Sequence, residues 1–212
     1  MRYGVYRLSA LLENPTLATK TREALLRFDC GYDACDVRSY LATRAEDDDR
    51  LGRCRTYLIV DLDAILARTP HVSIQAYFTI AQHALDVSEL MGDASNADVV
   101  DYLLGSGARD GSAPATVPGY LIAQFAKDRS HRQSAKGFLQ LAQTIIERAS
   151  SLAGGMYIVL DCGSARLKDY YEELGFVCID DRDEGGDAHV YQMFKLIGQG
   201  LDAGFLSEVE TA

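Results

Sequence analysis

The sequence lacks the features that mark secreted, zinc-binding and membrane proteins. Its five cysteines are odd in number and contain no Cys-x-x-Cys pair, so we expect reduced thiols, without a disulfide framework or a bound metal. No apolar run approaches the roughly 18 residues that a membrane span needs, and no charged-then-apolar leader opens the chain. We therefore expect a cytoplasmic protein that does not contact the membrane.

Basic residues are also scarce. The chain has 31 acidic residues against 21 Lys and Arg, which gives a net charge of −10. This balance counts against a broad nucleic-acid surface, because binding by counterion release needs clustered cations. Residues 127–137 are the exception, since they contain four cations and one carboxylate, a local balance of +3. A local excess of this kind indicates a phosphate-containing partner.

The hydrophobic residues are numerous enough to build a core. They make up 48% of 212 residues, which suits a single domain. Strand patterns occupy residues 4–9, 55–61, 72–81, 120–126, 156–161 and 189–197, and helix patterns occupy residues 21–26, 35–45, 96–104, 135–150 and 165–174. We expect the second and third strands to pair as a hairpin, residues 46–50 to form an exposed connection and residues 105–118 to form a loop. The alternation of strands and helices predicts an α/β fold with a central mixed sheet and helices on its faces.

The strand over residues 120–126 leads through a basic turn into a long amphipathic helix. A helix N-terminus presents unpaired backbone N–H groups and the positive end of the helix dipole. Such a strand–turn–helix unit is a common way to hold the phosphates of a cofactor.

The basic turn resembles the pyrophosphate-binding turn of the GNAT acyl-coenzyme A N-acetyltransferases, which has the form Gln/Arg-x-x-Gly-x-Gly/Ala. Arg132 and Gly137 match this pattern, and Ala135 stands where glycine is usual. The resemblance implies that acetyl-coenzyme A is the cosubstrate and that its pyrophosphate lies against this turn. The residues that it assigns to cofactor binding here are Arg132, Gln133, Ser134, Ala135, Lys136, Gly137 and Phe138.

Two further segments carry the same resemblance. In the family, the pantetheine arm of the cofactor runs along the preceding strand, and one backbone N–H faces the thioester carbonyl; Phe125, Ala126 and Lys127 occupy that place here. The family also has the pattern Asn-x-x-Ala-x-x-x-Tyr-x-x-x-Gly-Phe near its end. The chain has Ser164, Leu167, Tyr171, Gly175 and Phe176 at those positions.

The second pattern implies a catalytic role for one tyrosine. By resemblance, Tyr171 is the general acid that protonates the departing coenzyme A thiolate, and Ser164 belongs to the cofactor site. A phenol with its ordinary pKa of about 10 keeps its proton at neutral pH and is able to donate it. No general base and no metal ligand stand out in the sequence.

The amino-terminal half is similar to one branch of the family, the GNAT toxins of bacterial toxin–antitoxin modules. Its segments 28–31, 55–60, 76–80 and 117–121 have counterparts there, in the same order. The resemblance implies one acetyltransferase domain over residues 1–198, with a mixed, mostly antiparallel sheet, and an acidic tail over residues 199–212. It also implies an antitoxin partner, a homodimer, and the α-amino group of aminoacyl-tRNA as the acceptor.

Two alternatives to the toxin function stay open. The first is an acetyltransferase for a small amine or for a protein. The second is a GNAT-fold interaction module that binds coenzyme A weakly or not at all. The net charge of the chain does not separate these functions.

Overall fold

A computed structural model describes residues 2–31, 35–66, 71–91, 96–105, 116–185, 188–198 and 209–211. By its internal contacts the chain divides into two compact units. The first contains Met1–Ala81, Ile122–Ala142 and Leu201–Ala212, and the second contains Gln82–Leu121 and Gln143–Gly200. The predicted division into a domain over residues 1–198 and an acidic tail stays a prediction.

Strands and helices mostly alternate along the chain. The strands are β1 (Tyr3–Arg7), β2 (Arg55–Asp61), β3 (Ile74–Asp86), β4 (Thr116–Lys127), β5 (Tyr157–Cys162), β6 (Val177–Gly185), β7 (Ala188–Leu196) and β8 (Val209–Thr211). The helices are α1 (Leu8–Glu13), α2 (Ala18–Arg27), α3 (Cys35–Thr43), α4 (Ala45–Arg50), α5 (Leu62–Leu66), α6 (Ala97–Leu104), α7 (Ala135–Ala153) and α8 (Ala165–Glu172). The predicted α/β class, with a mixed, mostly antiparallel sheet, is confirmed.

In the first unit the strands follow the order β8-β1-β2-β3-β4. β1 pairs antiparallel with β2 and parallel with β8. β2 pairs antiparallel with β3, with Arg55 opposite Ile80, which confirms the predicted hairpin, although α5 lies between the two strands in sequence.

The core of this unit lies between its strands and its first four helices. Leu8, Leu41 and Leu58 are fully buried in one apolar cluster. Phe28, which follows α2, meets Tyr77 of β3 edge to face, with 5.4 Å between the ring centroids. Six of the thirteen buried residues of this cluster lie on helices, so removal of the helices would expose apolar side chains of the strands.

The predicted exposed connection at residues 46–50 is wrong, because these residues belong to α4. Asp48 and Asp49 are only 7% and 2% exposed. The Asp49 carboxylate accepts hydrogen bonds from the Arg7 guanidinium, at 3.1 Å, and from the Thr56 backbone N–H, at 3.0 Å. Asp48 pairs with Arg53 at 3.0 Å. Two carboxylates of this charged segment are therefore buried, and arginines compensate them, Arg53 from nearby in the sequence and Arg7 from a distant position.

In the second unit the strands follow the order β4-β5-β7-β6. β4 and β5 are parallel, with Tyr120 opposite Ile158, and the other neighbouring pairs are antiparallel. The sequence patterns did not predict β6. Its segment Asp180–Asp183 is mostly charged and exposed, as suits a strand with one neighbour in this unit, so it lacks an apolar alternation.

The helices of the carboxy-terminal half lie close to where the patterns place them. α7 begins at Ala135, and α6 and α8 match the segments predicted for them. Gly175 follows α8 with a φ of +81°, the left-handed conformation that glycine adopts without strain.

The structure bears only in part on two expectations, the loop at residues 105–118 and the cytoplasmic location. Residues 106–115 of the predicted loop lie outside the described residues, and residues 116–118 form the start of β4. No helix in the described part of the chain has both the length and the apolar character that crossing a bilayer requires. The cytoplasmic location stays a prediction.

Candidate functional site

The first part of the candidate site is the second half of β4, Ile122–Lys127. β4 is the last strand of the first unit, so among the described residues of this unit only β3 flanks it. Ile122 and Ala126 are buried, which fixes the strand against the core of the unit. The register of β4 with β5 consists of Tyr120 and Leu121 and includes no residue of this half. An extended ligand is able to pair with backbone N–H and C=O groups of this kind, in the manner of an added strand.

The second part is the turn that follows β4, and Asp128 organises it. Its carboxylate accepts hydrogen bonds from the Ser130 backbone N–H at 2.9 Å, from the Ser130 hydroxyl at 2.6 Å and from the Asp29 backbone N–H at 3.1 Å. The Asp128 backbone N–H donates to the Gln75 carbonyl on β3 at 2.9 Å, and the Arg129 N–H donates to the Asp29 carbonyl at 2.8 Å. One side chain thus ties the turn both to itself and to the segment after α2.

These contacts change the acidity of Asp128. Partial burial alone would raise its pKa, because it disfavours the charged carboxylate. The hydrogen bonds from Ser130 and from the Asp29 backbone outweigh this effect and hold the pKa below its ordinary value. The turn is consequently ordered by an ionised carboxylate.

Two of the four basic residues of the turn are bound to the protein itself. The Lys127 ammonium donates to the backbone carbonyls of Asp128 and His131. Arg129 forms a salt bridge with Asp29, with 2.7 Å between Nη2 and Oδ2. One positive charge of residues 127–137 is therefore paired with a carboxylate outside the segment, and a second is held by backbone carbonyls, which the charge count did not predict.

Arg129 is exposed although Asp29 pairs with it. Arg132 and Lys136 are exposed as well. They flank the start of α7, where the Ser134 hydroxyl accepts a hydrogen bond from the Lys136 backbone N–H at 3.2 Å and caps the helix. The remaining N–H groups of the first helical turn have no partner within the helix. These groups and the two cations point to an anion as the ligand of this helix start.

The residues around the start of α7 allow a ligand to come close to the backbone. Gln133 and Ser134 are exposed, and Ala135 and Gly137 carry little or no side chain. Phe138, by contrast, is only 1% exposed and meets Tyr3 edge to face at 5.6 Å. The buried ring anchors the helix, while the small residues before it leave the backbone accessible to a ligand.

In the second unit, Tyr171 lies on the buried face of α8. Its side chain is 7% exposed and meets the rings of Tyr170 and Phe176, at centroid distances of 5.4 and 5.7 Å. Burial raises the pKa of Tyr171, so the phenol keeps its proton throughout the neutral range.

The motif around Tyr171 is explained by the ends of α8. The Ser164 hydroxyl accepts a hydrogen bond from the Leu167 backbone N–H at 3.3 Å, so this residue is the N-cap of the helix. At the other end the chain turns at Gly175, and the Phe176 N–H donates to the Tyr171 carbonyl at 3.1 Å. The Tyr-x-x-x-Gly-Phe spacing therefore places the Phe176 ring against Tyr171.

Sequence reasoning missed two parts of this site. The Asp128–Ser130 turn has a local signal, since Asp often bonds the backbone two residues later. The contact with Asp29 has no local signal, because the two residues are 99 positions apart. Within the described residues no group of three or more His, Cys, Asp or Glu side chains is placed to hold a metal ion.

Comparisons with known proteins find similarity in fold but no match by sequence. No family model matches the sequence, and no curated protein matches it either. Solved structures do match. A Tyr-to-Phe variant of KacT shares 15% identity with the chain and has a TM-score of 0.62, over 93% of this chain and 96% of KacT.

Complexes of the toxin AtaT are also among the matches. A Tyr-to-Phe mutant of AtaT with the C-terminus of its antitoxin AtaR and acetyl-CoA shares 17% identity, over 93% of this chain and 94% of AtaT, with a TM-score of 0.59. AtaT with acetyl-methionyl-tRNAfMet shares 18% identity, over 89% and 93% of the two chains, with a TM-score of 0.60. This chain has the fold of these toxins. The fold expected from the GNAT resemblance is therefore confirmed.

Replacing Asp128 with alanine tests its role in the turn. The pKa of Asp128 is lower in the folded protein than in the unfolded chain, so the carboxylate stabilises the fold above its unfolded pKa of about 4, and this stabilisation is lost as the pH falls through the lower folded value. We expect Asp128→Ala to lower the melting temperature at pH 7 and the difference from wild type to shrink in acid. Melting curves from pH 7 to pH 2 measure this. A difference that does not change with pH would contradict the role of the ionised form.

Proposed function

We propose that this protein is an N-acetyltransferase that transfers the acetyl group of acetyl-coenzyme A to a primary amine. The observation that carries the proposal is the second half of β4, which lies outside the register with β5 and leads through an ordered turn into a helix start with exposed cations. The fold shared with KacT and AtaT supports it, and two similar structures contain acetyl-CoA.

The residues present fit such a cosubstrate. The N–H groups over residues 133–138 and the exposed Arg132 and Lys136 suit the pyrophosphate. The backbone of Phe125, Ala126 and Lys127 suits the pantetheine amides, because these pair like the peptide groups of a strand. When bound, acetyl-coenzyme A supplies an activated acyl group.

The contribution of the chain is mainly positioning. Holding two reactants in one geometry lowers the barrier by up to about 7–11 kcal/mol without any side-chain chemistry. A backbone N–H of the second half of β4 adds a fixed donor for the negative charge that develops on the thioester oxygen. Both effects suit a chain in which the sequence offers a single candidate acid and no obvious base.

Tyr171 is the proposed general acid. In the reaction a C–N bond forms and a C–S bond breaks, so the amine loses a proton and the thiolate gains one. The raised pKa of Tyr171 keeps its proton available at neutral pH. The donation is favourable when the thiolate forms in similarly water-poor surroundings, because these raise the pKa of the thiol as well.

The acceptor that we propose is the α-amino group of an aminoacyl-tRNA, and the partner that we propose is an antitoxin protein. Similar structures contain acetyl-methionyl-tRNAfMet and the C-terminus of an antitoxin, which supports both. The net charge of −10 implies that tRNA contacts are confined to local basic patches. The homodimer stays a prediction.

Cofactor binding is tested by thermal shift with coenzyme A. A ligand at one hundred times its dissociation constant stabilises the protein by about 2.7 kcal/mol. We expect Gly137→Asp to abolish the shift, because it places a charge and a side chain against the phosphates. Arg132→Ala should weaken binding about tenfold, the usual effect of losing one charge-assisted hydrogen bond.

The matched control is Arg50→Ala, which removes an exposed cation from α4, where it pairs with Asp47. It should leave the shift unchanged. The absence of a shift for the wild-type protein at millimolar coenzyme A would favour the interaction module over the enzyme.

The acid is tested by Tyr171→Phe, which keeps the ring contacts with Tyr170 and Phe176 and removes only the hydroxyl. We expect acetyl transfer to an aminoacyl-tRNA pool to fall roughly 10²-fold, with coenzyme A affinity unchanged. Tyr170→Phe is the control on the same helix and should keep near-wild-type turnover. If both variants turn over like wild type, Tyr171 is not the acid.

A further inference from the structure

A buried acceptor on β4 has no partner. The Oε1 atom of Gln124 is inaccessible to solvent and hydrogen-bonds to no group in the described part of the chain. A buried polar atom in this state costs free energy, and native proteins rarely leave one unpaired. The unpaired acceptor therefore suggests a ligand that supplies the missing hydrogen-bond donor.

The position of Gln124 indicates where this ligand would bind. Gln124 lies between Ile122 and Ala126, in the half of β4 that is outside the register with β5. Side chains alternate along a strand, so these three residues share one face. Ala126 on that face belongs to the apolar cluster of Phe28 and Tyr77.

Burial makes the unpaired oxygen selective. A buried acceptor favours a donor that arrives with the ligand, because a hydrogen bond there is stronger than in solvent. The same atom penalises a ligand that lacks the donor, since the oxygen then stays unpaired.

We infer that Gln124 is a substrate-binding residue whose Oε1 accepts a hydrogen bond from an N–H group of a bound substrate. This inference rests on the proposed function. That function offers two sources of the donor, an amide of the pantetheine arm and the acceptor amine. Both are N–H donors that have to come close to the second half of β4.

Gln124→Met tests the inference, because methionine has a similar length and only a weak acceptor. We expect the ligand-free variant to melt at or above the wild-type temperature, since an unpaired oxygen is removed from the interior. We also expect about a tenfold loss in one of two measurements. A pantetheine donor predicts the loss in the coenzyme A dissociation constant by calorimetry. An amine donor predicts it in kcat/KM for an aminoacyl-tRNA pool, with coenzyme A affinity unchanged.

Gln75→Met is the matched control for stability. Gln75 is buried on β3, and its amide is engaged, because Nε2 donates to the Ser73 hydroxyl at 3.1 Å. Its replacement should lower the melting temperature. A similar fall for Gln124→Met would mean that its amide has a protein partner and would overturn the inference.

The two proposals fail in different ways. A wild-type protein that neither binds coenzyme A nor transfers acetyl groups contradicts the proposed function, and the inference falls with it. An active wild-type protein with a Gln124→Met variant of equal affinity and equal kcat/KM contradicts the inference alone. A Gln124→Glu variant is a second test, because it keeps an acceptor oxygen. It should retain more of the coenzyme A affinity, or of the kcat/KM, than Gln124→Met does.

Discussion

Backbone groups left unpaired at the end of β4 and at the start of α7 are the constraint on which the candidate site depends. A buried strand or helix normally pairs every such group. In the first unit, β4 is the last strand, and α7 begins directly after an exposed turn. The groups left over at both places lie on one continuous segment of chain. A ligand with amides and phosphates is able to satisfy both sets.

Charged side chains hold the turn between these elements through contacts within the protein. Lys127 and Arg129 bind protein oxygens, and Asp128 gathers three hydrogen bonds. Asp48 and Asp49 are paired in the same way, Asp48 with the nearby Arg53 and Asp49 with the distant Arg7. Ion pairs therefore help to stabilise the first unit, and Arg132 and Lys136 are exposed at the turn.

Much of the fold could be predicted from local patterns, and the parts that failed have a common cause. β2, α7 and the glycine after α8 follow from periodicity and turn chemistry, which act within a few residues. The burial of α4 and the contact between Asp128 and Asp29 depend on partners distant in sequence, which no local pattern encodes. The turn and tyrosine motifs located candidate residues, but neither the compensated cations nor the unpaired oxygen of Gln124 could be predicted, because both are properties of packing.

Amide hydrogen exchange with and without acetyl-coenzyme A reports on the backbone groups of β4 and α7 themselves. If they bind the cosubstrate, acetyl-coenzyme A slows exchange over residues 122–127 and 133–138. Slower exchange confined to other segments, or no change at saturating acetyl-coenzyme A, would contradict this binding.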